Sequence, residues 1–428
     1  MTHSSAYSLR STLLSWAILT ALFFWFKGGY LPVVVAVAGA LLLWIGSVIA
    51  PRALSLIAVL YPGKLTILLA TIAICAVIGE IVITSIAPQM QVYGWLSRDT
   101  YEISPTRWFA HKPNLDVELS VPDYTYRLQT NSLGFRDTEH AKQKQQGVIR
   151  VLLAGDSFTD GDGVAVEDNY PSVMRRALEE DSARWEVINV SVPGYGPVET
   201  ALTVSEYASQ YKPDLIIFGF YLGNDLADAM KTRDEKLREI GLIHDTVPLF
   251  PLNRWLWHNS NLYVLLQNTV SVLREKVRGG PTRRQLGLTG VRYFETSAPQ
   301  VFNRGWRETV KALANMKQIA GSVGSDFIAA LFPLASQVTP SQFLKYVPRE
   351  LNLRDTTRYD LDWLQRSLHQ KLDSLEIAYT DLTPVFRDAK EQPLFNALAD
   401  HHPNKDGYRL IGETVAQAAL EWRKNKQR

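Results

Sequence analysis

Hydrophobic and polar positions divide the chain into two unlike parts. From Ser11 to Phe26, Tyr30 to Ala50 and Leu65 to Ala87 the residues are almost all apolar. The third run is broken only by Thr, Ser, Gly and Glu80. The second and third are long enough to cross a bilayer as helices; the first, at 16 residues, is marginal. The pattern therefore predicts a membrane anchor over residues 1–88, with about three spans at 11–26, 30–50 and 65–87. A cleaved leader is the rival for the first run, but Lys27-Gly28-Gly29 follows Phe26 where a small-x-small site would stand. Arg10, Arg52 and Lys64 against Lys27 favour the N-terminal side as cytoplasmic, which puts the rest of the chain outside. That side reverses if Leu54 to Tyr61 also enters the membrane or the first run does not. Glu80 inside the third run has two readings: a functional intramembrane carboxylate, or a packing group near a polar cavity or neighbouring helix.

From Val148 onward short apolar runs alternate with helical periodicity. Strands are predicted at 149–154, 186–190, 214–220, 326–331 and 376–380, and helices at 170–180, 197–211, 303–323, 359–374 and 406–424. That order fits an α/β fold, a parallel five-stranded sheet with helices on both faces. The domain is expected to cover 148–428. Ahead of it, 89–147 is polar and Pro-punctuated and reads as a connecting segment. Within it LDVELSV and YTYRLQT alternate as a small hairpin, NSLGFRD reads as a turn and fixed loop, and AKQKQQ as a solvated linker. Residues 226–303 are more than a sheet connection needs. This insertion has three readings: a helical lid, an amphipathic helix on the membrane, or a structural insertion. Trp255, Trp257 and Tyr263 would line an acceptor groove under the first and sit at a headgroup boundary under the second.

Composition adds less. The 428 residues are 46% hydrophobic and 21% charged, enough for one large domain and extras, and a net charge of +2 leaves no basic footprint for nucleic acid. Cys75, the one cysteine, forms no intramolecular disulfide and says little about redox compartment.

Candidate chemistry begins where the first predicted strand of the sheet runs into Gly155-Asp156-Ser157, because ligands bind beyond the carboxyl ends of such strands. A second strand ends in a Gly-rich loop (EVINVSVPGYG) and a third in Gly223-Asn224-Asp225. Near the C-terminus comes ADHHPNKDGY. In that order, from Val148 to Trp422, the four blocks resemble the SGNH (GDSL-type) serine hydrolases.

The resemblance implies a three-layer flavodoxin-like domain in which Ser157 is the nucleophile and His402, followed by Pro403-Asn404, the base. The usual acid position in the family falls on Ala399, so Asp400, two before the histidine, is the expected acid. His401 is the rival for the base or a substrate contact. The implied oxyanion donors are the backbone N–H of Ser157, the N–H of Gly194 (Gly196 being the second choice) and the side chain of Asn224. The family glycine two before that asparagine is here Leu222, with Gly223 adjacent. Asp156 is expected to anchor the turn, and Asp160 and Asp162 read as turn residues ahead of a metal site. NSLGFRD-like stretches precede the serine block in membrane-anchored relatives, which indicates placement and not role.

No metal or organic cofactor is implied. The expectation is a membrane-anchored esterase that removes an O-acetyl group from an envelope carbohydrate, with a lipid or small acyl ester left open. The alternatives are an O-acyltransferase using the same acyl-enzyme and a catalytically idle scaffold. Expected partners are the acylated substrate, the membrane and polysaccharide-assembly proteins, at a bacterial inner membrane with the hydrolase domain periplasmic.

Overall fold

The computed structural model describes residues 62–87, 100–121, 124–243, 256, 259–278, 291–339, 344, 352–397 and 401–428. The chain divides into two compact units: residues 1–94 with 245–274, and residues 95–244 with 275–428.

In the first unit the third apolar run forms α1, Pro62–Ile86. The predicted spans at 11–26 and 30–50 lie outside the described residues. Among the described residues no helix is long and apolar enough to cross a membrane, so the expected anchoring is not shown.

The second unit opens with two hairpins. β1 (Tyr101–Ser104) pairs antiparallel with β2 (Trp108–His111), and β3 (Asp116–Val121) with β4 (Tyr124–Gln129). The second hairpin is the one the alternation predicts. The first escaped it because its strands have four residues each, too short for a period to show. The sheet then begins with β5, Val148–Ala154. Next come α2 (Ser157–Asp160), α3 (Tyr170–Leu178), β6 (Arg184–Asn189), α4 (Pro197–Tyr211) and β7 (Leu215–Tyr221). The insertion holds α5 (Asp225–Asp228), α6 (Arg233–Glu239) and α7 (Asn261–Arg278). Then follow α8 (Asn303–Ser322), β8 (Asp326–Phe332), α9 (Trp363–Ser374), β9 (Ala378–Asp381) and α10 (Lys405–Lys426).

Spatial order in the sheet is β6-β5-β7-β8-β9, with every pair parallel. This is the flavodoxin-like order with its switch point between β5 and β7, so the loops after β5, β6 and β7 converge at one edge. All of β7 is buried, as a strand covered on both faces requires. Gly412 of α10 lets that helix close on α3: a Cβ there would stand 2.5 Å from Val173.

Arg150, the polar break in β5, is buried and fully used. Its guanidinium meets Glu186 at 2.7 Å and the carbonyls of Tyr211, Ala141 and Lys142 at 2.6, 2.8 and 2.9 Å. A buried charge is tolerable only when paired in this way. It also pins the backbone of the stretch that reads as a solvated linker. The leading segment is no loose connector either: Tyr101, Phe109 and Phe135 are buried in the same core as the sheet.

The insertion is divided. α5 and α6 belong to the second unit, whereas 245–274 falls in the first with α1. There Glu80 accepts hydrogen bonds from Ser260 Oγ (2.6 Å) and from the N–H groups of Asn261 (2.8 Å) and Leu262 (3.1 Å). A carboxylate from one helix thus satisfies the free donors at the start of another. Trp255 and Trp257 lie outside the described residues, and Tyr263 is half-buried on α7.

Candidate active site

β5 is followed by Gly155, where a Cβ would stand 2.3 Å from Thr159 Oγ1 and 2.9 Å from the Gly219 carbonyl, so only glycine lets the chain turn there. Asp156 caps the next turn, its Oδ1 accepting from Phe158 N at 2.9 Å. Ser157 is therefore the first residue of α2, which lasts four residues before Gly161, at φ +91°, ends it. Burial pushes the Asp156 carboxyl up to about 7, against the opposing effects of the Phe158 N–H and of His402.

His402 arrives from the far end of the chain. Asn404 caps α10 by accepting from Asp406 N (3.0 Å) and Gly407 N (3.1 Å), which fixes the loop just before the helix. His402 Nε2 then lies 2.7 Å from Ser157 Oγ, with both side chains buried. A ring protonated at Nδ1 accepts the serine proton at that distance. His401 instead stacks on Tyr221, with ring centroids 5.6 Å apart and planes 5° from parallel. Asp400 lies outside the described residues.

The loop after β6 carries Gly194 at φ +83°, a backbone state that favours glycine. Among the described residues neither Ser157 N–H nor Gly194 N–H donates to another protein group. Gly196 is differently employed: it caps α4, and its N–H donates to Glu199 Oε2 at 3.0 Å. Asn224 stands at the N-cap of α5 without making a side-chain cap bond. Asp225 closes that turn by accepting from Tyr221 N at 2.9 Å, and burial pushes its carboxyl well above the usual range. The shifted glycine has a local reason: at Gly223 a Cβ would stand 2.2 Å from the Tyr221 ring, whereas Leu222 is buried. Gly305 at the start of α8 permits close packing behind the same turn, since its Cβ would stand 1.9 Å from the Leu226 carbonyl.

Two buried cations behind these loops escaped sequence reasoning. Arg136, in NSLGFRD, donates through Nη1 to the carbonyls of Gly161 and Asp160, and through Nη2 to that of Val164. It lies over the Tyr126 ring at 4.8 Å. Tyr126 OH in turn donates to Asp162 Oδ1 at 3.1 Å. Burial drives the Asp160 carboxyl well above its usual range although Arg136 opposes the shift. The second cation is Lys236 of α6, in contact with Gly194 O and Asp228. A Gly-Phe-Arg-Asp stretch is a visible signal for Arg136; Lys236 sits in a run of charges that reads as an exposed helix face.

Residues 153–410 match the model of the GDSL-like lipase/acylhydrolase family. A search of curated proteins finds no match. Among solved structures, a psychrotrophic esterase from Pseudoalteromonas sp. is 11% identical, with 64% of this chain and 98% of that one covered and a TM-score of 0.34. An acetyl-xylooligosaccharide esterase from Geobacillus stearmophilus is 13% identical, with 63% and 93% covered and a TM-score of 0.34.

Proposed function

The chain belongs to the GDSL-like lipase/acylhydrolase family and acts on ester bonds, and on that premise we propose Ser157 as its nucleophile and His402 as its base. The 2.7 Å contact between Ser157 Oγ and His402 Nε2 carries the reading. Ser157 Oγ attacks the acyl carbon as His402 takes its proton, and the oxyanion forms against the N–H groups of Ser157 and Gly194 and the Asn224 amide. Collapse expels the alcohol, which leaves with the proton from His402. Water, deprotonated by the same ring, then releases the acid from the acyl-enzyme. Asp400 is the proposed partner of the other ring nitrogen, holding the tautomer and stabilising the imidazolium.

The finer proposal is a membrane-anchored enzyme that removes O-acetyl groups from an envelope carbohydrate on the periplasmic side. Its support is the three apolar runs, the basic residues flanking them, and the exposed Ile74, Ile78, Ile81 and Ile86 along α1. Hydrolysis of p-nitrophenyl acetate and of a longer-chain ester by the full chain tests it. Wild type is expected to turn over the acetyl ester faster, and Ser157→Ala to lose on the order of 10⁴ or more in kcat. Equal rates for the two proteins would sink the nucleophile assignment. Product transfer to added sugar acceptors would replace hydrolysis by acyl transfer.

A further inference from the structure

The least expected group near the candidate oxyanion loop is a lysine. Lys236 comes from α6, a helix of seven residues in the insertion, yet it is only 2% exposed. Its ammonium lies 2.6 Å from the carbonyl oxygen of Gly194 and 2.9 Å from Asp228 Oδ1. Asp228 also meets Lys231 at 2.8 Å. Burial would raise the Asp228 carboxyl, but the two lysines outweigh it and hold it below its usual range, so it stands ionised opposite Lys236.

Burying an ammonium is costly, and its attraction to one carboxylate seldom does more than offset desolvation. What this pair adds is a fixed donor on the one backbone carbonyl that belongs to the left-handed glycine. The peptide before it, which carries the Gly194 N–H, is held through its own carbonyl, since Tyr101 OH donates to Pro193 O at 3.5 Å, while Tyr195 OH donates to the Phe109 carbonyl. A Cβ at Gly194 would meet only Phe109, at 3.7 Å, so packing at the Cβ position does not hold this residue and its two flanking peptides must. A rotation there would re-aim the Gly194 N–H, and an oxyanion donor works only when aimed in advance at where the charge develops.

We propose that Lys236 is a positioning residue: anchored by Asp228, it clamps the Gly194 carbonyl and fixes the peptide after Gly194, so that with Tyr101 OH on the Pro193 carbonyl both peptides flanking Gly194 are held and its N–H stays aimed at the oxyanion. On this view the first part of the insertion is a strut for the site. The inference rests on the proposed role of Gly194 as a donor.

The test compares full-length wild type, Lys236→Met and the double variant Lys236→Met/Asp228→Asn, which removes both buried charges together and so protects the fold. Two readouts are taken: steady-state hydrolysis of p-nitrophenyl acetate, and amide hydrogen exchange across residues 192–196. Both variants are expected to lose about 10- to 100-fold in kcat, less than deletion of a donor, with KM nearly unchanged and exchange in the loop faster. Exchange as slow as in wild type overturns the clamp. Faster exchange with unchanged kcat overturns its link to the oxyanion. Absence of Ser157-dependent turnover in wild type instead sinks the ester chemistry proposed for the site, and exchange then decides the clamp alone.

Discussion

The Ser157 loop and the Gly194 loop, proposed to carry the nucleophile and an oxyanion donor, are each backed by a buried cation, and the two cations work differently. Arg136 spreads a planar fork over three carbonyls of the Ser157 loop, at Asp160, Gly161 and Val164. Lys236 puts a compact charge on one carbonyl of the Gly194 loop and shares it with a carboxylate. A loop that curls round a point exposes several carbonyls at once and calls for the fork; a single flexible glycine calls for one donor. The supports differ as well. Arg136 lies outside the 153–410 family match, in a segment whose Asn131 Oδ1 accepts from Leu133 N and Phe135 N at 3.0 and 2.9 Å. Lys236 lies inside the match, on a helix held by its cap. The Ser157 loop is thus braced from a segment ahead of the family match, and the Gly194 loop from within it.

Removing the fork should produce the largest effect of the comparison. Arg136→Met leaves the buried carbonyls of Gly161 and Val164 without their donor, the Asp160 carbonyl keeping Asn169 Nδ2 at 3.2 Å, and at about 1–3 kcal/mol for each unsatisfied acceptor unfolding by urea should show a loss of about 2–6 kcal/mol. Arg136→Lys should recover only part of that loss, because an ammonium cannot span the carbonyls that two guanidinium nitrogens reach. Full recovery by lysine would erase the distinction between the two braces.

Much of this was open to the sequence and some of it was not. The five sheet strands showed because β-branched runs such as that of β5 are buried on both faces and interrupted by turn residues. Arg150 alone broke the pattern, and its partners lie on three other segments that no local reading joins to it. Ser157, Gly194, Asn224 and His402 were legible as motif blocks at the ends of strands and at the cap of α10. Which of His401 and His402 meets the serine depends on a loop held at both ends, at Asn404 and by the contact of Asn396 N with the His402 carbonyl at 3.0 Å. The β1–β2 hairpin and Lys236 were hidden, the first by its short strands and the second by charges that suggested solvent. α9 starts at Trp363, later than the predicted 359, because Asp360 accepts from Asp362 N in a turn that precedes it.

A smaller effect separates charge from shape in the Ser157 loop. Burial pushes the Asp156 carboxyl up to about 7 in the folded chain, from an ordinary value of 3.8. Between about pH 4 and pH 7 the folded protein therefore keeps a proton that the unfolded chain has released. Stability from this group falls as pH rises through that window. Asp156→Asn retains the acceptor for Phe158 N and removes the titration. The fall in stability should lessen by at most about 1.4 kcal/mol per pH unit. Asp160 and Asp225, both raised by burial, leave some slope behind. Urea midpoints at pH 4.5 and 7 provide the reading, and an undiminished fall would show that Asp156 does not titrate there.

The smallest effect should come from the support of the lysine. α6 begins with a capping box: Thr232 Oγ1 accepts from Glu235 N at 3.4 Å, and Glu235 Oε2 accepts from Thr232 N at 2.7 Å and from its hydroxyl at 2.9 Å. Thr232→Ala removes the hydroxyl and leaves the glutamate its backbone donor. A cap of this kind is worth about 1 kcal/mol, so stability should fall by about that much. Lys236 itself is anchored by Asp228 and Gly194, which do not depend on the cap. kcat should therefore drop by less than in Lys236→Met, with faster exchange confined to residues 232–236. An equal loss of kcat in Thr232→Ala would mean that the whole helix, and not the ammonium at its centre, holds the Gly194 loop in place.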